Sequence, residues 1–168
     1  MTQTSKKLSA RLLAFASLLS VVLLSSSAPR ALGEEHCETP VGTWLYTVTI
    51  PPSSGGPIVF SGTETYDVGG GYSEADELGV TPYFLATPGH GVWKSTGEGH
   101  FLLTYDNFTY DANGPSGTGK VRQTTIMSKD GNSYTGSGDF FYYNLNGSVS
   151  ISGHFTITAK RILVEKPE

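Results

Sequence analysis

The first residue in this 168-residue chain with a claim to chemistry is Glu64. In the run Ile58 to Asp67, alternation puts Ile58, Phe60, Gly62, Glu64 and Tyr66 on one face. On an inward face, a carboxylate between Phe60 and Tyr66 loses hydration, its pKa rises, and it suits proton transfer with Tyr66 assisting. At a solvated barrel mouth the same residue only keeps the surface polar. Gly114 to Lys120 fits the phosphate-cradling pattern G-x-x-x-x-G-K. That loop must open a helix, and a Ser or Thr must follow the lysine to bind magnesium. Val121 follows Lys120, and Val121, Gln123, Thr125 and Met127 alternate as a strand, so a hairpin loop is expected instead. There is no G-x-S-x-G elbow. His90, His100 and His154 lie on three separate segments without metal-ligand spacing, and His154 is expected to face outward. The adjacent pair His36 and Cys37 forms no recognisable metal pattern. Asp67, Glu74, Asp76 and Glu77 read as an acidic rim, because no loop has calcium-ligand spacing. No metal and no cofactor is expected.

The elements that must position these groups are strands. Twenty-one glycines, with abundant Thr, Ser and Tyr, make a strand-and-turn composition, and helical periodicity is absent. Val41 to Ile50 alternates, with Trp44, Tyr46, Val48 and Ile50 on one face. Further strands are expected over 58–67, 72–77, 90–94, 100–110, 119–128, 133–143 and 148–162. The strongest hairpin turns are Lys129 to Asn132 and Asn146-Gly147. Eight strands joined by short reversals predict an all-β domain, an antiparallel up-and-down closed barrel, with a β-sandwich as the alternative. Leu78 to Gly89 is the longest irregular stretch, and Tyr83, Phe84 and Leu85 within it suggest a lid over the barrel mouth. Gly62, Gly136, Gly138 and Gly153 alternate in phase with Phe60, Phe140, Tyr142 and Phe155. Either their missing side chains leave open space, or they relieve strain where strands bend.

Gly42-Thr43-Trp44 resembles the G-x-W signature of the calycins, the lipocalin and avidin group of eight-stranded barrels. The resemblance implies that Trp44 closes the barrel floor and that Lys160 or Arg161, at the end of the last strand, lies over its ring. The chain departs from the lipocalins in ending soon after that strand, without the usual helix. Trp93 to Thr96 echoes a biotin-contacting stretch of avidins, but it falls mid-chain, and biotin is not expected. The helix-free barrel also looks like the allene-oxide-cyclase and dirigent barrels, some of which guide cyclisations without a cofactor.

Lys6, Lys7 and Arg11, the apolar run Leu12 to Leu24, and the small residues around Ala31-Leu32-Gly33 read as a signal peptide over 1–33. A single domain is then expected over 34–168, exported to the periplasm or the cell exterior. The leader takes four of the eleven basic residues and no acid, leaving seven against fifteen, a net charge of −8. So acidic a domain is a poor partner for nucleic acid or for a membrane after leader removal. Asn107-Phe108-Thr109 and Asn146-Gly147-Ser148 are glycosylation acceptors only in a eukaryotic host. Oligomeric state is left open. The expected function is binding of a small apolar or aromatic molecule by Trp44, Tyr46, Phe60, Tyr66, Phe84, Trp93, Phe140 and Tyr142. The alternative is a cofactor-independent cyclase or isomerase using Glu64 and Tyr66.

Overall fold

A computed structural model describes residues 39–52, 55–81 and 84–167, without the side chains of residues 80, 81 and 84. The leader, His36 and Cys37 lie outside these residues, as does Tyr83. The strands are β1 (Gly42–Ile50), β2 (Ile58–Tyr66), β3 (Gly71–Asp76), β4 (Val80–Thr81), β5 (Phe84–Ala86), β6 (Gly89–Gly97), β7 (His100–Asp111), β8 (Gly114–Met127), β9 (Ser133–Asn144) and β10 (Val149–Arg161). Every pairing is antiparallel. Closure is direct, since β1 lies between β2 and β10, and β7 bonds to both β6 and β8. One closed sheet is not a sandwich, so the alternative fold is set aside.

The ten segments make eight barrel staves. β3 and β4 are two parts of one stave, and β5 and β6 two parts of the next. Ala86 pairs with Thr109 while His90 pairs with Asp106, so the Thr87-Pro88 step adds one residue to its side of the ladder. Pro88 has no N–H to give that ladder, which suits it to the break. Within the stretch Leu78 to Gly89, expected to be irregular, β4 therefore pairs with β5, and β5 bonds in turn to β7. A second correction concerns the glycine-rich run 114–120. It is not a loop but the start of β8, with Gly117, Thr118, Gly119 and Lys120 all in register with β7. Glycine weakens a strand without forbidding one, and backbone pairing on both sides overrides local composition. Extended backbone cannot wrap a phosphate. Lys120 instead meets Asp106 on the outer surface, at 3.0 Å.

Alternation sorts the side chains as the sequence implies. Trp44, Tyr46 and Val48 are buried, while Leu45 between them is exposed. The core continues through Tyr66, Tyr72, Phe101, Leu103, Met127, Tyr134, Phe155, Ile157 and Ala159. His90, His100 and His154 are exposed, and His154 Nδ1 lies 3.0 Å from Asp139 Oδ1.

The four inward glycines are filled rather than vacant. A Cβ at Gly62 would meet the Tyr46 hydroxyl at 2.5 Å, and one at Gly153 the Phe140 ring at 2.7 Å. At Gly138 it would stand 2.3 Å from the Arg122 carbonyl oxygen and 2.6 Å from the Phe155 ring. Aromatic rings thus lie over glycines on the neighbouring strand. Gly138→Ala is expected to cost about 1–3 kcal/mol in urea unfolding, because backbone and a buried ring must both shift. A cost under about 0.5 kcal/mol would show that the ring moves freely.

Candidate functional site

The barrel interior has two different ends. At one, β1 begins, β10 finishes and the 131–132 turn closes over them. Trp44 is fully buried there, its Nε1 donating to the Pro40 carbonyl oxygen at 2.7 Å. The Arg161 guanidinium stacks 4.1 Å from the centre of the Trp44 ring. Arg161 also donates to the carbonyl oxygens of Gly131 at 2.9 Å, Val41 at 2.6 Å and Thr39 at 3.2 Å. Of the two basic residues expected over the ring, it is therefore Arg161, and Lys160 points out to solvent. Gly42 has φ of +127°, and a Cβ there would lie 2.6 Å from Arg161 Nη1. Only glycine suits both demands, which explains its place two residues before the tryptophan.

Above this floor sits a packed aromatic layer. Trp44 meets Tyr134 edge-on at 5.2 Å, and Tyr66 meets Tyr72 at 5.0 Å and Trp93 at 6.1 Å. Glu64 lies inside it, 1% exposed. Tyr72 Oη donates to Glu64 Oε2 at 2.8 Å, and Tyr134 Oη to Oε1. Burial pushes the Glu64 carboxyl up to about 8 against the pull of the Tyr72 hydroxyl; the Glu74 charge adds to the rise, and the Tyr66 hydroxyl opposes it. The buried Tyr66 hydroxyl makes no well-formed hydrogen bond among the described residues, although Thr125, Gln123 and Glu64 lie close enough to act on it.

The other end is hollow. A cavity of about 140 Å³ lies there, bordered by Ile50 at the end of β1, Phe60 near the start of β2, and Leu78, Gly79 and Pro88. One wall is apolar: Val48, Ile50, Phe60, Val121, Phe140 and Ile157. The opposite wall is polar, made by Glu74, Asp76, Tyr105 and Asn107, with Gln123 and Tyr72 beneath. Glu74 is 6% exposed; its Oε2 accepts from Tyr46 Oη at 3.0 Å and its Oε1 from the Gly89 amide at 2.8 Å. Burial, and next the Asp76 charge, push Glu74 up to about 7 against the Tyr46 hydroxyl and the Gly89 amide. Asp76 is raised by burial and held back by the amides of Gly79 and Leu78; Gly79 N donates to its Oδ1 at 2.7 Å. Among the described residues no Lys, Arg or His lines the cavity.

The expected site residues divide between these ends. Tyr46, Phe60, Phe140 and Tyr142 line the cavity. Trp44, Tyr66 and Trp93 belong to the packed aromatic layer, and so does Glu64, with both its carboxyl oxygens occupied by tyrosines. The Phe84 side chain lies outside the described residues. The mouth segment does line the cavity, through Leu78, Gly79, Ala86, Thr87 and Pro88, whereas Leu85 is 44% exposed. Glu74 and Asp76, read from the sequence as part of an acidic rim, line the cavity. Tyr105, Asn107 and Gln123 join them without having been singled out; Gln123 and Asn107 sit on long alternating strands, where phase alone could have found them. Among the described residues no cluster of His, Cys, Asp and Glu could hold a metal ion.

No family model matches the chain, and no curated protein matches it. Among solved structures it is similar to the crystal structure of Rv2717c from M. tuberculosis, at 10% identity over 74% of this chain and 93% of that one, with a TM-score of 0.39. A likeness that distant says nothing about the site. What fold and site define is a class: an eight-stranded antiparallel barrel, solid at one end and hollow at the other.

Proposed function

We propose that the protein is an exported barrel that binds one small, mostly apolar molecule in its open half. The observation that carries this reading is the cavity's divided lining, apolar on one wall and hydrogen-bonding on the other, in a barrel whose other half is packed solid. Eight strands leave room for side chains or for one small ligand, and an apolar cavity of roughly 150 Å³ takes up a benzene-sized molecule. The basic, then apolar, then small-residue start supports export. Toluene is expected to bind wild type with an affinity measurable by ligand-observed NMR. Val121→Phe, which fills the apolar wall, should abolish that binding while the far-ultraviolet spectrum is kept. Toluene binding unaffected by Val121→Phe would place any binding elsewhere.

One observation favours a second reading, a cofactor-free cyclase or isomerase: Glu74, raised to about 7, borders the cavity at a pKa suited to general acid–base work near neutrality. Under that reading Glu74 moves the proton, and Glu64 and Tyr66 support it from the layer beneath. Mass analysis of a ligand recovered after incubation separates the two, since a binder returns it unaltered.

A further inference from the structure

The polar wall of the cavity carries two carboxyls, Glu74 and Asp76, and no basic side chain among the described residues. Glu74 and Asp76 project from alternate positions of one strand and so share its inner face. Each already accepts a hydrogen bond, and each carboxyl keeps further lone pairs. Asn107 Oδ1 is buried with no partner among the described residues, and Asn107 borders the same cavity. Buried acceptors without donors are uncommon and costly. The groups facing Glu74 are Tyr46 from β1, Glu64 from β2, Asp76 from β3, the Gly89 amide from β6, Tyr105 from β7 and Tyr142 from β9. None is a cation. Tyr46 spends its proton on Glu74, and Tyr72 spends its own on Glu64. The cations that flank lining residues in the chain, Lys120 and Arg122, are turned outward, the first to Asp106 and the second over the Phe141 ring.

We infer, building on the binding reading above, that the ligand is a small primary or secondary amine, its protonated nitrogen held between Glu74 and Asp76 and its hydrocarbon body against Phe60, Val121 and Phe140. An ammonium brings a positive charge to a wall that has none among the described residues, and donors for the lone pairs that Glu74, Asp76 and Asn107 keep. Two carboxyls crowded on one face repel each other, and a cation between them reverses that term. A carboxylate or phosphate ligand would meet like charge in a desolvated site, and a plain hydrocarbon would leave the acceptors unanswered. Because Glu74 must be ionised to act, amine affinity should rise with pH through its titration.

The test compares benzylamine, benzyl alcohol and toluene by calorimetry at pH 5.5 and pH 8.0, with wild type, Glu74→Gln and Asp76→Asn. Benzylamine is expected to bind wild type at pH 8.0 at least tenfold more tightly than toluene or benzyl alcohol. That advantage should shrink severalfold at pH 5.5, and in whichever variant folds it should fall below about threefold. If toluene binds and benzylamine binds no better, the amine inference falls while the apolar cavity stands. If benzyl alcohol equals benzylamine, charge plays no part and the inference falls again. If none of the three binds, the inference and the binding reading fall together.

Discussion

Trp44→Ala should lower the unfolding free energy by about 3–5 kcal/mol, measured by urea denaturation at constant pH. The indole is fully buried, so its removal leaves a void where the staves converge. Three other contacts go with it. The Pro40 carbonyl oxygen loses its donor, the Tyr134 ring loses its edge-on neighbour, and the Arg161 guanidinium loses the face it covers. A guanidinium over a desolvated indole contributes on the order of 1–2 kcal/mol, and an edge-on aromatic pair about 1 kcal/mol beyond area. Trp44→Phe keeps most of the volume but not the Nε1 donor, and is expected to lose roughly half as much. A loss below about 1 kcal/mol for Trp44→Ala would mean that this end is not closed by the indole.

The position of that tryptophan was open to reading because it depends on local pattern. Gly42, Trp44 and the basic end of the last strand stand at places where backbone, ring and charge must meet once the first and last strands pair. Strand order followed in the same way from alternation and short turns. Depth along the barrel axis did not. Trp44 and Tyr46 share a face of β1, yet one is sealed in the floor and the other borders the cavity. Glu64 and Phe60 divide likewise on β2. Where an inward row passes from packed to hollow depends on the stagger between strands, and alternation carries no information on that. Glu74 was hidden for another reason. In Tyr72 to Glu77, acids occur at both alternating phases, so their polarity could not show which row faces in. The large Tyr72 was the usable signal, and Glu74 and Asp76 follow it in phase. The apolar mouth segment stands out by composition, but the pairing of β4 with β5 does not, since both strands are too short for alternation to register.

Stability should fall, not rise, as pH climbs from about 5 to 8, and Glu64 should be the main cause. Its ordinary value is 4.5 and burial raises it to about 8 in the fold. Below pH 4.5 the carboxyl is protonated in both states, and the contribution is fully present. Between the two values the native protein holds a proton that the unfolded chain has released. Each pH unit then removes roughly 1.4 kcal/mol from the unfolding free energy. Above about 8 both states are ionised and the loss is complete, on the order of 5 kcal/mol for Glu64. Glu74, raised to about 7, acts in the same direction over a narrower window. Such a loss is a large part of the roughly 5–15 kcal/mol available to a domain. The net negative charge of the chain also grows with pH, so a falling curve in wild type is not sufficient by itself. Glu64→Gln isolates the residue. Glutamine keeps the shape, stays neutral, and still offers an oxygen to one of the two tyrosines. At pH 5 the variant should lie within about 2 kcal/mol of wild type on either side. At pH 9 it should be the more stable of the two, by several kcal/mol, with its remaining decline confined below about pH 7 where Glu74 titrates. Unfolding series in urea at pH 5, 7 and 9 measure the crossing, and parallel curves for variant and wild type would show that Glu64 titrates in the barrel as it does in water.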